Sequence, residues 1–107
     1  MVKREIIKKI KQFRNAIEED GIRVAKMILY GSYAAGKPHK YSDIDIAVVS
    51  KDFGKDRVRE GMKLFEIASE VDPRIESVPV SLKSYQVDTW IPLIYEIRKN
   101  GLEVSLN

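Results

Sequence analysis

Apolar residues recur three or four positions apart along residues 2–19, and this spacing predicts one amphipathic helix. Asp20 and Gly21 follow, and a glycine suits the left-handed backbone conformation that often ends a helix. The pattern therefore predicts a first helix that stops before Gly21. The positions expected to form its buried face are Val2, Ile6, Ile7, Ile10, Phe13 and Ile17.

The next part of the chain alternates between extended and turn-forming segments. Branched and apolar residues over 22–30 predict a strand, which Gly31 ends, and a short helix is expected to begin at Ser32. Glycine and proline within residues 36–40 predict a loop. Residues 43–50 alternate and then become continuously apolar, which indicates a central strand.

The last half of the chain predicts helix, strand and helix, with a short final strand over 102–106. Asp72 and Pro73 end the first of these helices, and residues 75–82 form a strand in which Pro79 indicates an edge position or a bulge. Residues 83–88 read as a connector. The apolar face of the helix that ends at Asp72 is expected at Val58, Met62, Phe65 and Ala68 or Ser69. The last helix is expected to be capped by Thr89, to carry Pro92 in its first turn and to end at Gly101.

Composition limits the class of protein. The 107 residues suit one compact domain, so we expect residues 1–107 to form a single α/β (α+β) domain, a small mixed sheet flanked by helices. There are no cysteines, which excludes disulfides and thiolate sites. No apolar run approaches the length of a membrane span and no signal peptide is evident, so a cytoplasmic protein is expected.

Net charge says little about partners. The formal charge is only +3, so nucleic acid is not an expected partner on bulk charge alone. Basic residues do crowd the first helix, and they form either a solvated face or a docking face for an acidic partner or RNA. They are Lys3, Arg4, Lys8, Lys9, Lys11 and Arg14.

Asp43 and Asp45 carry the strongest chemical signal. Side chains two positions apart on a strand point to the same side, so both carboxylates project together while Ile44 enters the core. Two like charges held close favour a cation between them, and hard carboxylate oxygens suit Mg²⁺. Taken alone, a pair of aspartates at a strand start is also common on protein surfaces.

Gly31 and Ser32 add a candidate phosphate site. A glycine at the end of a strand lets a ligand approach the backbone closely, and the amides that open a helix bind anions. The Ser32 hydroxyl would add one more donor to a phosphate, or it would simply cap the short helix. The spacing to Asp43 allows the chain to return on an adjacent strand and places both features side by side.

Two segments together resemble the motif of the minimal nucleotidyltransferases of the DNA polymerase β superfamily. They are residues 31–36, GSYAAG, and residues 42–46, SDIDI. The resemblance implies the superfamily's palm-like fold and transfer of NMP from a nucleoside triphosphate with release of pyrophosphate. It also implies two Mg²⁺ ions, held by Asp43, Asp45 and a third carboxylate, and a nucleotide-binding set of Gly31, Ser32 and Ser42.

Glu76 is the expected third carboxylate, as metal ligand and as base for the acceptor hydroxyl. It is a charged residue among apolar ones in a predicted strand, a position that is unfavourable unless the charge is paired or used. The alternative is a glutamate on an edge strand that faces water. Asp72 and Asp88 are poorer candidates because turn and cap roles explain them.

The resulting hypothesis is a Mg²⁺-dependent nucleotidyltransferase that uses ATP and transfers AMP to a hydroxyl of a partner protein. Small proteins of the resembled type are similar to antitoxins paired with HEPN-domain toxins, so such a toxin is the expected partner. The alternative is a non-catalytic antitoxin module with an idle nucleotide site, which neutralises its partner by contact. An RNA-modifying subunit ranks last, and oligomer formation stays open.

Overall fold

A computed structural model describes residues 3–38 and 43–105. Its helices are α1 (Arg4–Glu19), α2 (Gly31–Ala34), α3 (Arg57–Val71), α4 (Leu82–Val87) and α5 (Pro92–Asn100). Its strands are β1 (Lys26–Tyr30), β2 (Ile44–Ser50), β3 (Ile75–Ser81) and β4 (Leu102–Glu103). The predicted order of elements is confirmed, except that α4 replaces the expected connector over residues 83–88.

The four strands form one mixed sheet in the order β3-β2-β1-β4. Strand β2 runs antiparallel to β1 and parallel to β3, and β4 pairs antiparallel with β1. The small mixed sheet flanked by helices is therefore as predicted. Strand β2 is central, and β3 is an edge strand, where Pro79 can be tolerated because one side of the strand needs no ladder hydrogen bonds.

Helices cover both faces of this sheet. Even-numbered residues of β2, Ile44, Ile46 and Val48, are fully buried in one apolar cluster with α1 and α3. Odd-numbered residues, Ala47 and Val49, are buried in a second cluster with α5. Among the described residues, no helix combines the length and the apolar character needed to cross a membrane.

Two predicted boundaries in the first half of the chain are wrong. Strand β1 begins at Lys26 rather than Ile22, because Arg23 is bound elsewhere: its amide and its guanidinium both donate to Asp52, at 2.8 and 2.7 Å. Helix α2 begins at Gly31, with Tyr30 as its N-cap. The short helix therefore starts one residue before Ser32.

Three predictions near the C-terminal end also need correction. Ser81 caps α4 by accepting a hydrogen bond from the Ser84 amide at 3.1 Å, which turns the expected connector into a helix. The N-cap of α5 is Ile91 and not Thr89, although Pro92 occupies the first turn as expected and Gly101 ends the helix. Strand β4 is shorter than predicted.

The face of α3 that packs on the sheet is not the predicted one. Leu64 and Ala68 are buried there, whereas Val58, Met62 and Phe65 are 74%, 62% and 67% exposed. Helix α3 carries apolar residues on two faces, and periodicity alone does not say which face meets the sheet. Of the predicted stripe, only the alternative Ala68 lies in the core.

Candidate active site

Asp43 and Asp45 lie at the start of the central strand. Asp45 is the second residue of β2, and Asp43 directly precedes the strand. Ile44 and Ile46 are fully buried toward α1 and α3. Because successive side chains alternate across a strand, both carboxylates project from the opposite face, the one that α5 covers.

The strand register brings two further side chains beside Asp45. Tyr30 is its partner on β1, and Glu76 is its partner on β3. The three residues therefore form a row across three strands, which we call the transverse row: Tyr30, Asp45 and Glu76. The sequence prediction included Glu76 and missed Tyr30, although the position directly before Gly31 is a signal that could have identified it.

The Asp45 carboxyl has a pKa that reflects its surroundings. Partial burial raises its pKa above the ordinary range, and the neighbouring charges of Asp43 and Glu76 raise it further. Burial, followed by the charges of Asp45 and Glu76, likewise raises the pKa of the Tyr30 phenol. Tyr30 and Asp45 thus both experience the negative potential of the carboxylates around them.

That potential is not neutralised within residues 3–38 and 43–105. No lysine or arginine of this part of the chain forms a salt bridge with Asp43, Asp45 or Glu76. In the same part of the chain, no three His, Cys, Asp or Glu side chains stand in the arrangement of a metal site. The register pairs Asp45 with Glu76, Asp43 stands two residues before Asp45, and the role of the three carboxylates as metal ligands stays a prediction.

Gly31 lies against the Asp45 carboxylate. Its φ is +71°, in the left-handed region that glycine adopts without steric cost. A β-carbon at this position would come within 3.1 Å of Asp45 Cγ and closer still to its Oδ2. The position therefore requires glycine for two reasons: the backbone angle, and the space that Asp45 fills.

Ser32 does not cap the short helix. Tyr30 is the N-cap of α2, and no side chain makes a capping hydrogen bond there. The structural alternative for Ser32 is therefore wrong. Its phosphate-binding role stays a prediction, and Ser42, the third residue of the expected nucleotide-binding set, lies outside the described residues.

A cavity of about 250 Å³ opens beside Gly31. Ala34 and Ala35 line it from the α2 side, and Glu96 and Asn100 line it from α5. Asn100 donates a hydrogen bond to the Glu96 carboxylate at 3.0 Å. The sequence prediction did not include either α5 residue, because nothing in the local pattern indicates that the end of α5 reaches α2.

The other acidic candidates have structural partners. Asp72 accepts hydrogen bonds from the amide and guanidinium of Arg74, and these bonds lower its pKa. Asp88 accepts one from the Ser84 hydroxyl at 2.9 Å. Both residues therefore serve the turns and caps that the sequence indicates.

A second cavity, of about 230 Å³, lies at the far end of β3 near Ser81. Glu60 lines it, but its carboxylate already accepts hydrogen bonds from the backbone amides of Gly54, Lys55 and Asp56. The transverse row lies at the opposite end of the same strand. We therefore place the candidate active site at Gly31 and Asp45, where the charged groups meet.

Comparison with known proteins identifies the family. A family model described as a nucleotidyltransferase domain matches residues 10–105. The chain belongs to this family. This nucleotidyltransferase is also 30% identical over 100 residues to a Methanocaldococcus jannaschii protein that is provisionally named a protein adenylyltransferase; the match spans 94% of this chain and 96% of the relative. The resemblance of residues 31–36 and 42–46 is confirmed, and so is an enzyme of this type.

Solved structures share the fold of this nucleotidyltransferase. One, from Sulfolobus solfataricus and provisionally named a nucleotidyltransferase, has a TM-score of 0.63 at 17% identity, over 92% of this chain and 78% of that one. A toxin–antitoxin structure with AMP-PNP has a TM-score of 0.61 at 23% identity, over 94% and 73%. A mutant MntA–HpeT toxin–antitoxin has a TM-score of 0.52 at 22% identity, over 87% and 69%.

The raised pKa of Asp45 predicts how stability of this nucleotidyltransferase depends on pH. The pKa of Asp45 is higher in the folded than in the unfolded chain. Between these two pKa values the folded protein binds more protons than the unfolded chain, so stability falls as pH rises through this range. Asp45→Asn should therefore raise the melting temperature modestly at neutral pH in metal-free buffer, and the gain should vanish once the medium is more acidic than the ordinary pKa of aspartate. Thermal denaturation across pH measures this.

Glu76→Gln is the control for that measurement. It removes one of the charges that raise the Asp45 pKa, so it should shift stability in the same direction by a smaller amount. An Asp45→Asn protein that is less stable than wild type by an equal amount at every pH would contradict the electrostatic explanation.

Proposed function

We propose that this nucleotidyltransferase transfers AMP from ATP to a hydroxyl of a partner protein in a Mg²⁺-dependent reaction, and that the partner is a HEPN-domain toxin. The observation that carries the proposal is the transverse row beside Gly31. It places the Asp45 and Glu76 carboxylates side by side, with Asp45 packed against the backbone of Gly31 at the end of a strand and Asp43 two residues before Asp45. This arrangement suits phosphate chemistry, because charge and close backbone approach occur at one point.

The chemistry of the donor set fits Mg²⁺. Asp43, Asp45 and Glu76 supply only carboxylate oxygens, which hard divalent cations prefer, and their mutual repulsion is what a cation would relieve. These three residues would hold the ions. When bound, Mg²⁺ would neutralise triphosphate charge and make the acceptor hydroxyl easier to deprotonate.

The residues of this chain would then serve binding and proton transfer. Gly31 and Ser32 would bind the triphosphate, and the cavity beside Gly31 provides space next to it. The acceptor oxygen would form a bond to the α-phosphorus as the bond from that phosphorus to the bridging oxygen breaks, and pyrophosphate would leave. The hydroxyl proton would pass to Glu76, which is exposed at the edge of the sheet.

The relatives support the choice of acceptor and partner. The Methanocaldococcus protein is provisionally named for protein adenylylation, and two structures with the same fold are toxin–antitoxin pairs, one of them with an ATP analogue. The MntA–HpeT mutant exchanges two aspartates for glutamates two positions apart, the spacing of Asp43 and Asp45. These likenesses favour ATP as substrate and a toxin as partner.

Ser32 offers a specific test of the nucleotide site. Ser32→Ala should weaken binding of a triphosphate by about 1–3 kcal/mol, the usual value for a hydrogen bond to a charged group. Helix α2 should persist because the hydroxyl makes no cap. Calorimetric titration with a non-hydrolysable ATP analogue and Mg²⁺ measures the affinity, and unchanged affinity would remove Ser32 from the site.

Transfer of label tests the function as a whole. The chain is incubated with the protein encoded by its neighbouring gene, Mg²⁺ and ATP labelled at the α-phosphorus. Label should move to the partner, whereas ATP labelled at the γ-phosphorus should leave the partner unlabelled. Neutralisation of the partner without any transfer would instead support the contact-only antitoxin module.

A further inference from the structure

Helix α3 exposes a row of large apolar side chains that the fold does not use. Val58, Met62 and Phe65 are 74%, 62% and 67% exposed, and they recur at the alternating spacing of four and three residues found along a coiled-coil seam. Ser69 continues the row by one further step. We call Val58, Met62, Phe65 and Ser69 the α3 stripe. It runs along three turns of a 15-residue helix.

The charges beside the α3 stripe have opposite signs in its two halves. On one flank Arg59 lies toward the N-terminal end, and Glu66 lies one heptad later, toward the C-terminal end. The Arg59 side chain is 88% exposed, and its ion pair with Asp56 is long, at 4.0 Å. A second α3 placed antiparallel across a two-fold axis would bring each Arg59 to the Glu66 of the other copy, twice in one interface.

Gly61, on the other flank, points to the same kind of contact. A glycine inside a helix costs about 1 kcal/mol relative to alanine. Gly61 has no positive φ, and a β-carbon there would meet nothing within 4 Å. The fold of one chain therefore gives no reason for glycine, whereas a second helix packed on the α3 stripe would come close to this position.

We infer that the α3 stripe is the interface between two copies of this chain, packed with their α3 helices antiparallel about a two-fold axis. Met62 of each copy then packs against Phe65 of the other, and the two Arg59–Glu66 pairs close the rim. Because α3 and the transverse row lie on opposite faces of the sheet, both candidate active sites remain open. A single helix pair is a small interface, so micromolar affinity is expected.

Sedimentation equilibrium over the micromolar range tests the interface with the full chain. Wild type should approach twice the mass of one chain as concentration rises. Met62→Glu and Phe65→Glu should each keep the chain monomeric while leaving the circular dichroism spectrum unchanged. The matched control is Val87→Glu, which alters a residue 60% exposed on α4 and should leave dimerisation intact. Wild type that stays monomeric throughout would overturn the inference and leave the α3 stripe to a different protein.

Reversing the charges of Arg59 and Glu66 tests whether it is a second copy of this chain that packs on the α3 stripe. Arg59→Glu alone and Glu66→Arg alone each place like charges together twice, and each should weaken dimerisation about tenfold. An equal mixture of the two variants pairs opposite charges again and should dimerise at least as well as wild type. The double variant Arg59→Glu, Glu66→Arg should do the same. A mixture that dimerises no better than the separate variants would refute the antiparallel arrangement.

Discussion

Exchanging Asp43 and Asp45 together for asparagine should abolish the proposed AMP transfer to the partner protein while leaving the chain folded. Both carboxylates project beside Gly31, and the proposed chemistry depends on their charge. A bound metal would contribute several kcal/mol of transition-state stabilisation, so the loss of its proposed ligands should lower the rate by at least about a thousandfold. The rate of label transfer from α-labelled ATP measures the loss.

The fold should survive this double exchange because it removes repulsion rather than a stabilising contact. In the described part of the chain neither aspartate has a salt-bridge partner, and neighbouring charges already raise the pKa of Asp45. Asp56→Asn is the matched control, since it makes the same chemical change at the N-cap of α3, where asparagine caps equally well. That variant should transfer AMP at the wild-type rate.

Partner binding separates the two functions that the sequence leaves open. If docking uses a surface other than the carboxylates, the double variant should still bind the partner with wild-type affinity, as an affinity measurement would show. Should wild type and the double variant neutralise the partner equally, with no label transferred by either, the enzymatic proposal is wrong. The contact-only antitoxin would then account for the result.

Gly31→Ala should have the second large effect. The left-handed φ of +71° costs a residue with a side chain about 1–2 kcal/mol, and the added methyl group also collides with the Asp45 carboxylate. The carboxylate or the backbone must move, so we expect AMP transfer to fall at least about a hundredfold, the effect of a displacement of roughly 1 Å at a catalytic group. Denaturant unfolding and label transfer measure the two consequences.

Gly36→Ala separates backbone strain from displacement of the carboxylate. Gly36 has nearly the same φ, +73°, but a β-carbon there would meet nothing within 4 Å. This variant should lose about 1–2 kcal/mol of stability and keep its activity. Equal loss of activity in both variants would show that strain near α2, and not contact with Asp45, is the cause.

The sequence correctly predicted the local geometry of the paired aspartates. The two aspartates project to one side because side-chain alternation along a strand needs only neighbouring residues. Gly31 was predicted to let a ligand approach the backbone closely; in the structure the Asp45 carboxylate lies against it, and phosphate binding there stays a prediction. For Ser32 the capping alternative was wrong because the helix begins one residue earlier, and its phosphate-binding role stays a prediction.

Glu76 shows where prediction from sequence stops. Its charge in an apolar strand was a local signal, but its position beside Asp45 depends on the parallel register of β2 and β3. Helix α3 and its two connections lie between those strands, so the register is set by packing of distant segments. Tyr30 was missed, and so were Glu96 and Asn100, because each reaches the site through a tertiary contact.

Helix α3 likewise shows what local sequence predicts and what tertiary packing decides. Its periodicity correctly predicted a helix, since spacing along one segment determines amphipathicity. The prediction of the face that meets the sheet was wrong. That face is set by the shape of the whole core around Leu64 and Ala68. The sequence by itself determined every element except α4, together with the family motif and the paired aspartates, all of which are properties of contiguous residues. Only the tertiary structure decided the transverse row, the cavity at α5 and the exposed α3 stripe, because these arise from contacts between segments far apart in the chain.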